Sequence, residues 1–241
     1  DSFCRISSFL IFMQRCPEPE LMNAPDQVIA YAEADFSAGD DSVVESLLEL
    51  ISNDCITLPS ASLILDLGCG PGNISELLAS CFPSSDVIGI DGASSMISIA
   101  NQRLFAKRPF IQNLQYQHVD LSHCCLDDLQ HIRDASVIVS NSFLHHLHNP
   151  QTLWHSVKQL AAPNAFMLHR DLRRPSKEQE VDALCDRYVS EAPSVLQRDF
   201  RASLMAAFTV VEVCEQLELA GLSQFMVKEI GDRYLEISGR W

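Results

Sequence analysis

Basic residues are scarce in this chain. Seventeen Lys and Arg stand against 32 Asp and Glu, for a formal net charge of −15 and a sequence pI near 4.8. A broad nucleic-acid-binding face is thereby disfavoured, because such faces are built from clustered Lys and Arg. Only residues 103–108 and 170–174 are locally basic. Long apolar runs are also missing. The stretch Phe9-Leu10-Ile11-Phe12-Met13 falls far short of the roughly 20 residues that a membrane-spanning helix needs, and no small-residue cleavage pattern follows it. The chain begins with Asp1 rather than Met, so its first dozen residues are expected to be a truncated end. None of the nine cysteines forms a C-x-x-C pair, and Cys124 and Cys125 are adjacent. That pattern offers neither a zinc-ligand spacing nor a disulfide framework, and it reads as a reduced, cytoplasmic set with no metal site. The length of 241 residues, 47% of them hydrophobic and 20% charged, suffices for one α/β domain with a full core.

What the chain does contain is the run Leu63-Ile64-Leu65-Asp66-Leu67-Gly68-Cys69-Gly70-Pro71-Gly72-Asn73. The apolar lead-in reads as a buried strand and the glycines as a turn. From Asn73, Ile74, Leu77, Leu78 and Cys81 share one face of a helix that stops before Pro83. Gly68, Gly70 and Gly72 clear Cβ atoms from one side of the turn, so a ligand can lie against the main chain at a helix N-terminus. Cys69 fits between them as a small packed side chain. A dinucleotide fingerprint would place Gly or Ala at position 73, where this chain has Asn73. A P-loop would continue into Gly-Lys-Ser/Thr, which is absent here. A second strand over 86–91 ends in Asp91, about 20 residues on, where a carboxylate can accept two hydrogen bonds from a ribose diol.

Periodicity orders the rest. A short helix is expected over 26–36, started by Pro25 and Asp26, and a second over 40–53 from the spacing of Val43, Val44, Leu47, Leu48 and Ile51. Ser94 is the expected cap of the helix after Asp91. Strand three is placed at 114–119. Strand four, at 135–140, is nearly continuous Val and Ile, as suits a central parallel strand. A helix after Asn149-Pro150 leads to strand five at 165–168, then a helical insertion over 176–208. Thr209 and Glu212 form a capping box for a helix ended by Gly221, and strands at 225–230 and 233–238 close the chain as a hairpin.

Two charged or polar runs fall at strand ends. Strand four runs into Asn141-Ser142-Phe143-Leu144-His145-His146-Leu147-His148, beside the point where the crevice of such a sheet opens. A neutral histidine there is a natural general base for an O–H or acidic C–H acceptor. His145 and His146 are therefore the catalytic candidates, and His145 a candidate for lining the acceptor site. Strand five leads into His169-Arg170-Asp171-Leu172-Arg173-Arg174, and charges at the end of a buried strand belong at the crevice. There Asp171 would hold an arginine, while Arg170 or Arg173 would grip an anionic acceptor group.

The run from Asp66 to Gly72 resembles the D-x-G-x-G-x-G motif of class I S-adenosylmethionine-dependent methyltransferases. The chemistry of that donor agrees. It has no phosphates for a P-loop lysine, its sulfonium and ammonium suit an acid such as Asp66, and its carboxylate suits the helix N-terminus. The resemblance implies a Rossmann-like α/β fold: a seven-stranded sheet with helices on both faces, an N-terminal lid (1–39) and a helical cap insertion after strand five (176–208). It implies S-adenosylmethionine as cofactor and S-adenosylhomocysteine as product. Tyr31 would close over the donor; Asp66, Gly68, Cys69, Gly70 and Asn73 would seat its methionine end; Asp91, Gly92 and Met96 would meet the ribose and adenine. Asp120 and the main chain of Leu121 would meet the adenine edge, and Asn141 would lie near the transferable methyl. The His-His-Leu run narrows the resemblance to the small-molecule branch that includes ubiquinone- and menaquinone-biosynthesis enzymes. That branch implies a small-molecule acceptor and a monomer or homodimer, with neither membrane nor nucleic acid as partner. Alternatives stay open. A tRNA-modifying enzyme is one, against which the charge of −15 weighs. Arsenite methylation would have to draw on Cys16 and Cys185. A non-catalytic donor-binding protein is the third, against which the intact motif stands.

Overall fold

The computed structural model describes residues 13–54, 58–107, 110–124 and 126–241. Residues 9–12 of the N-terminal apolar run, Cys125 and Arg108 lie outside these. Seven strands, β1 (Leu63–Leu67), β2 (Asp86–Asp91), β3 (Leu114–His118), β4 (Ala135–Asn141), β5 (Ala161–Leu172), β6 (Met226–Ile230) and β7 (Tyr234–Arg240), form one sheet. Its order is β3-β2-β1-β4-β5-β7-β6. Strands β1 to β5 pair in parallel, and β7 runs antiparallel to both β5 and β6. The helices are α1 (Pro25–Glu33), α2 (Ser37–Asn53), α3 (Asn73–Cys81), α4 (Ser94–Lys107), α5 (Gln151–Leu160), α6 (Glu178–Tyr188), α7 (Ser194–Ala206) and α8 (Val210–Ala220).

The central strands β1 and β4 read as nearly unbroken apolar runs because both faces of the sheet are covered there. Side chains alternate across a strand, so each strand feeds two cores. Ile64, Val87, Val137 and Phe166 pack with Val43 and Leu47 of α2 and Leu78 of α3, and with Leu104 of α4. Leu65, Ile88, Ile138 and Met167 pack on the other side with Trp154 and Val157 of α5 and with Val213 and Leu217 of α8. The indole of Trp154 is fully buried and donates to Gln216 Oε1 at 3.1 Å. A smaller apolar cluster joins Leu172 of β5 to Val181 and Leu184 of α6 and Leu204 of α7; these two helices are the expected insertion after strand five. The capping box at Thr209 and Glu212 and the left-handed Gly221 at the end of α8 are both present.

Several boundaries differ from the pattern-based expectation. Helix α1 stops at Glu33, and Phe36 sits between α1 and α2, its ring 4.8 Å from that of Tyr31. Helix α2 starts at Ser37 rather than residue 40. Ser94 is the first residue of α4 rather than a cap before it; Asp91 instead accepts from the Ala93 N–H at 2.7 Å. The largest difference is in β5, which continues through Leu172 instead of ending at 168. Its extension is paired with β7, Arg170 opposite Glu236 and Leu172 opposite Tyr234, so His169, Arg170 and Asp171 are buried within the sheet rather than loose at its end.

Two glycines of the turn are required by close packing as well as by backbone conformation. Gly68 has φ +71, and a Cβ there would lie 2.5 Å from the Phe143 ring. Gly72 has φ +92, and a Cβ there would overlap the Tyr116 hydroxyl, which itself donates to the Gly72 carbonyl at 3.1 Å.

Candidate active site

The strand order reverses between β1 and β4, and a crevice opens at the carboxyl ends of strands at such a point. Here the crevice is a cavity of about 1120 Å³. The turn between β1 and α3 forms one wall. The N–H groups of Gly68 and Cys69 donate to the Ile90 carbonyl at 2.8 and 3.0 Å, and the Gly70 N–H donates to Asp91 Oδ2 at 2.8 Å. Asp91 thus clamps the turn to the end of β2 with one oxygen and holds the start of α4 with the other. Each oxygen keeps a lone pair for a further donor.

Three carboxyl groups surround this turn. Burial raises Asp91, and the N–H groups of Ala93 and Gly70 only partly offset it. Asp66 accepts from Ser75 Oγ at 2.6 Å, and burial pushes it up to about 7. Asp40, at the start of α2, is raised by burial to about 6 against the pull of the Asn73 amide. No Lys or Arg offsets the burial of any of the three. A polar wall of desolvated acids that no Lys or Arg pairs directly fits a cationic ligand. A charged Asp66 is disfavoured in the fold, so below its ordinary 3.8 it costs nothing, and the penalty grows as pH rises from 3.8 to about 7 and is constant above that. Without donor, the stability advantage of Asp66→Asn over the parent should therefore widen by about 2–3 kcal/mol between pH 5 and pH 8 in urea titrations. A constant difference would show that Asp66 ionises normally.

Asn73 is a tie rather than an exposed contact: its amide donates to Asp40 Oδ2 at 3.0 Å and its carbonyl accepts from Arg103 at 2.8 Å. Arg103 also reaches the carbonyls of Pro71 and Ala32, joining the turn to α1. Tyr31, Cys69, Gly92, Met96 and Asn141 all line the cavity. Asp120 and Leu121 line a small neighbouring hollow with Asp91, Gly92 and Phe143. There Asp120 accepts from the Ser122 N–H at 2.9 Å and contacts His123 Nδ1 at 3.0 Å.

The segment between Met13 and α1 straps the open edge. Cys16 N–H donates to the Met205 carbonyl at 3.0 Å, Arg15 donates to the carbonyls of Ala206 and His145 at 2.6 and 2.9 Å, and Leu21 lies over Gly92. The strap also delivers Glu18 to the far end of the cavity, beside His145 and His146.

His145 and His146 form a short 3₁₀ turn after β4, with ring centroids 4.2 Å apart. Asp171 does not hold an arginine, as the sequence suggested. Its Oδ1 is 2.5 Å from His145 Nδ1 and its Oδ2 accepts the His145 N–H at 3.2 Å. Burial opposes charge on His145, but Asp171 and then Glu18 outweigh it and hold the imidazole above its ordinary range. Burial and the neighbouring His145 push His146 down to about 3. The two histidines therefore differ in kind, one prepared for positive charge and one kept neutral.

The arginines divide in a way the sequence reading did not anticipate. Arg170 lines the cavity, but its Nη atoms are engaged by Ser42 and Ser46 at 2.9 and 2.8 Å and by Glu236, leaving Nε without a partner. Arg173 lies on the outer edge, ion-paired with Glu229 at 2.9 Å. Side-chain alternation along β5 puts Arg170 and Leu172 on the cavity face and takes the odd-numbered residues to the other. Arg233, from the β6–β7 turn, lines the cavity instead, its guanidinium 3.4 Å from the Tyr188 ring centroid. Glu18, Asp40, Arg103 and Arg233 escaped the sequence reading because they reach the site from distant segments with no motif around them. Neither Cys16 nor Cys185, the two thiols that arsenite chemistry would have drawn on, lines the cavity.

A seven-stranded sheet of this order, with a glycine turn after β1 and an acid closing β2, is a Rossmann-like α/β fold that the chain shares with solved methyltransferases. A family model described as a methyltransferase domain matches residues 65–167. Among curated proteins, the chain is similar to trans-aconitate 2-methyltransferase of Variovorax paradoxus, 49% identical over 49 residues, or 20% of this chain and 19% of that one. The same enzyme of Yersinia pestis is 51% identical over 49 residues, again 20% and 19% of the two chains. The chain thus aligns with about a fifth of the length of these relatives. The fold is similar to that of a methyltransferase from Aquifex aeolicus described as SAM-dependent, with TM-score 0.63, 17% identity and coverage of 91% and 99%. It is also similar to that of the plantazolicin methyltransferase BpumL, solved with a substrate analogue and SAH, with TM-score 0.68, 16% identity and coverage of 90% of each chain. None of these is described as a quinone-biosynthesis enzyme, and they do not confirm the narrower resemblance to that branch.

Proposed function

We propose that this chain transfers the methyl group of S-adenosylmethionine to a small-molecule acceptor and releases S-adenosylhomocysteine. The observation that carries the reading is the glycine turn clamped by Asp91, opening onto a cavity whose far end holds the His145–Asp171 pair. The residues fit the donor: Gly68, Cys69 and Gly70 present main chain, Asp40 and Asp66 meet positive charge, Asp91 meets the ribose, and Asp120 with Leu121 meets the adenine beside Gly92 and Met96. Tyr31 on α1 and the strap from Met13 act as the lid, and α6 and α7 as the cap over the acceptor.

The donor supplies an electrophilic methyl on a sulfonium. The chain supplies alignment, which accounts for much of the acceleration in such displacements, and a place for the acceptor's proton. His145 takes that proton at Nε2 while Asp171 holds Nδ1; His146 stays neutral and lines the wall. The acceptor side is apolar at Leu172, Leu196 and Phe200, with Arg233 as the cation that an anionic group would meet; Arg170 offers only its Nε.

The net charge of −15 supports an acceptor other than nucleic acid. Among the described residues no helix is long and apolar enough to cross a membrane. The reduced thiols of Cys16, Cys69, Cys81, Cys185 and Cys214 support a cytoplasmic setting. Isothermal calorimetry tests the donor half: S-adenosylmethionine and S-adenosylhomocysteine should each bind once per chain. Labelled-methyl transfer into a metabolite extract tests the other half. Absence of donor binding would sink the proposal, and binding without transfer would favour a non-catalytic donor-binding protein.

A further inference from the structure

Glu18, His145 and His146 converge from two segments of chain more than a hundred residues apart. Glu18 Oε1 lies 3.4 Å from His145 Nε2 and 3.3 Å from His146 Nδ1, and the three ligand atoms lie within 4.8 Å of one another. We propose that these three side chains form a binding site for a divalent first-row cation of the zinc class. In a tetrahedral site with oxygen and imidazole ligands at about 2.0–2.1 Å, neighbouring ligand atoms sit about 3.3–3.4 Å apart. Both measured separations match that edge.

The surroundings supply what such a site needs. His146 Nδ1 is buried and has no hydrogen-bond partner among the described residues, an arrangement that calls for an explanation in a buried polar group. His145 has its other ring nitrogen on Asp171 at 2.5 Å, the carboxylate–histidine arrangement that orients an imidazole toward a metal. Ser203 Oγ donates to Glu18 Oε1 at 3.0 Å and fixes that carboxylate. The nearest cation, Arg15, is spent on the main-chain carbonyls of Ala206, His145 and Leu147. Asp199, with Oδ2 buried and unpartnered, stands on the same cavity wall and adds negative charge. A His₂–carboxylate set leaves the fourth position open, and here His145, His146 and Ser203 all face the cavity. An acceptor oxygen in that position would be polarised by the cation.

The sequence reading expected no metal, because it looked for cysteine and histidine spacings and the carboxylate comes from the strap. His145 Nε2 cannot carry a proton and a cation at once. With the cation bound, His145 is a ligand and the acceptor's own acidity is raised; without it, His145 is the base. The role toward an acceptor rests on the methyltransferase reading, whereas occupancy of the site does not.

The test uses the full chain, stripped with chelator and titrated with Zn²⁺ by calorimetry and with Co²⁺ by visible absorption, with S-adenosylmethionine binding measured in parallel. One equivalent should bind in the micromolar range or tighter. The cobalt form should show the intense visible bands of a tetrahedral nitrogen–oxygen site. Glu18→Gln and His146→Ala should each weaken binding by at least about 100-fold, and Asp171→Asn by about 10–100-fold, while donor affinity stays within about threefold. Absence of saturable Zn²⁺ binding would overturn the proposal. So would binding that Glu18→Gln and His146→Ala leave unchanged, or cobalt spectra dominated by thiolate charge transfer. Loss of donor binding in the parent chain would instead count against the methyltransferase reading, so the two failures are distinguishable.

Discussion

Asp91→Ala should lose about 10²–10³-fold in S-adenosylmethionine affinity by calorimetry. The Gly70 and Ala93 N–H groups now bonded to this carboxylate at 2.8 and 2.7 Å would lose their partner, and the turn would come away from the end of β2. The ribose diol would lose its acceptor at the same moment. Hydrogen bonds to a charged group contribute about 1.5–3 kcal/mol each, and two of them at the lower end of that range amount to about 3–4 kcal/mol, or the stated range in affinity. Asp91→Asn keeps the shape and one good acceptor, so it should fall between the parent and the alanine variant. Unchanged donor binding in Asp91→Ala would remove the ribose assignment and with it the main reason for seating the donor at this turn.

The second large effect is expected at the opposite end of the cavity. Asp171→Asn keeps the volume but removes the charge that holds His145 Nδ1 and stabilises the imidazolium. The turnover number should fall by about 10²–10³-fold, the range of a lost acid–base contribution, with donor affinity changed by less than about threefold. His145→Ala should fall by a similar factor. The double variant should be no worse than the more damaged single one, because the two side chains act as a unit. Fully additive losses would show that Asp171 acts only through the local packing of β5 and the 3₁₀ turn. These measurements need an acceptor, and the cavity residues Leu196 and Phe200 of the cap and Arg233 of the β6–β7 turn would suit one with an apolar body and one anionic group.

The two sites differ in how far the linear sequence exposes them, and the reason is physical. The donor seat is local. Leu63–Leu67, the three glycines and Asn73–Cys81 are contiguous, and their pattern reports a buried strand, a turn without Cβ atoms and a helix start. Asp91 is legible because it ends the next strand, and parallel pairing of β1 with β2 brings two strand ends together whatever the loop between them does. The capping box of α8 was equally readable, since all of its hydrogen bonds lie within four residues. Arg173 and the end of β5 were misjudged for the converse reason. Six residues of mixed charge look like the rim of a crevice beyond the strand, and nothing within them reveals that β7 continues the pairing as far as Leu172.

The acceptor end is where folding decided the outcome. His145 stood out as a residue type in a telling place, but its chemistry depends on Asp171 from the neighbouring strand and Glu18 from the N-terminal strap. Asp40 and Arg233 are likewise ordinary surface residue types until α2 and the β6–β7 turn carry them to the cavity. Local patterns of apolar residues, glycine and caps are sufficient for most of the strands and helices and for the proposed donor seat, because they act through backbone conformation and burial over a few residues. The partners of a buried ionisable group are chosen by long-range packing, which sets both its distance to other charges and its exclusion from water. That is why the chain's own order announces a Rossmann-like fold with a glycine turn at its crevice, while the pairing of His145 with Asp171, and the gap beside Glu18, exist only in three dimensions.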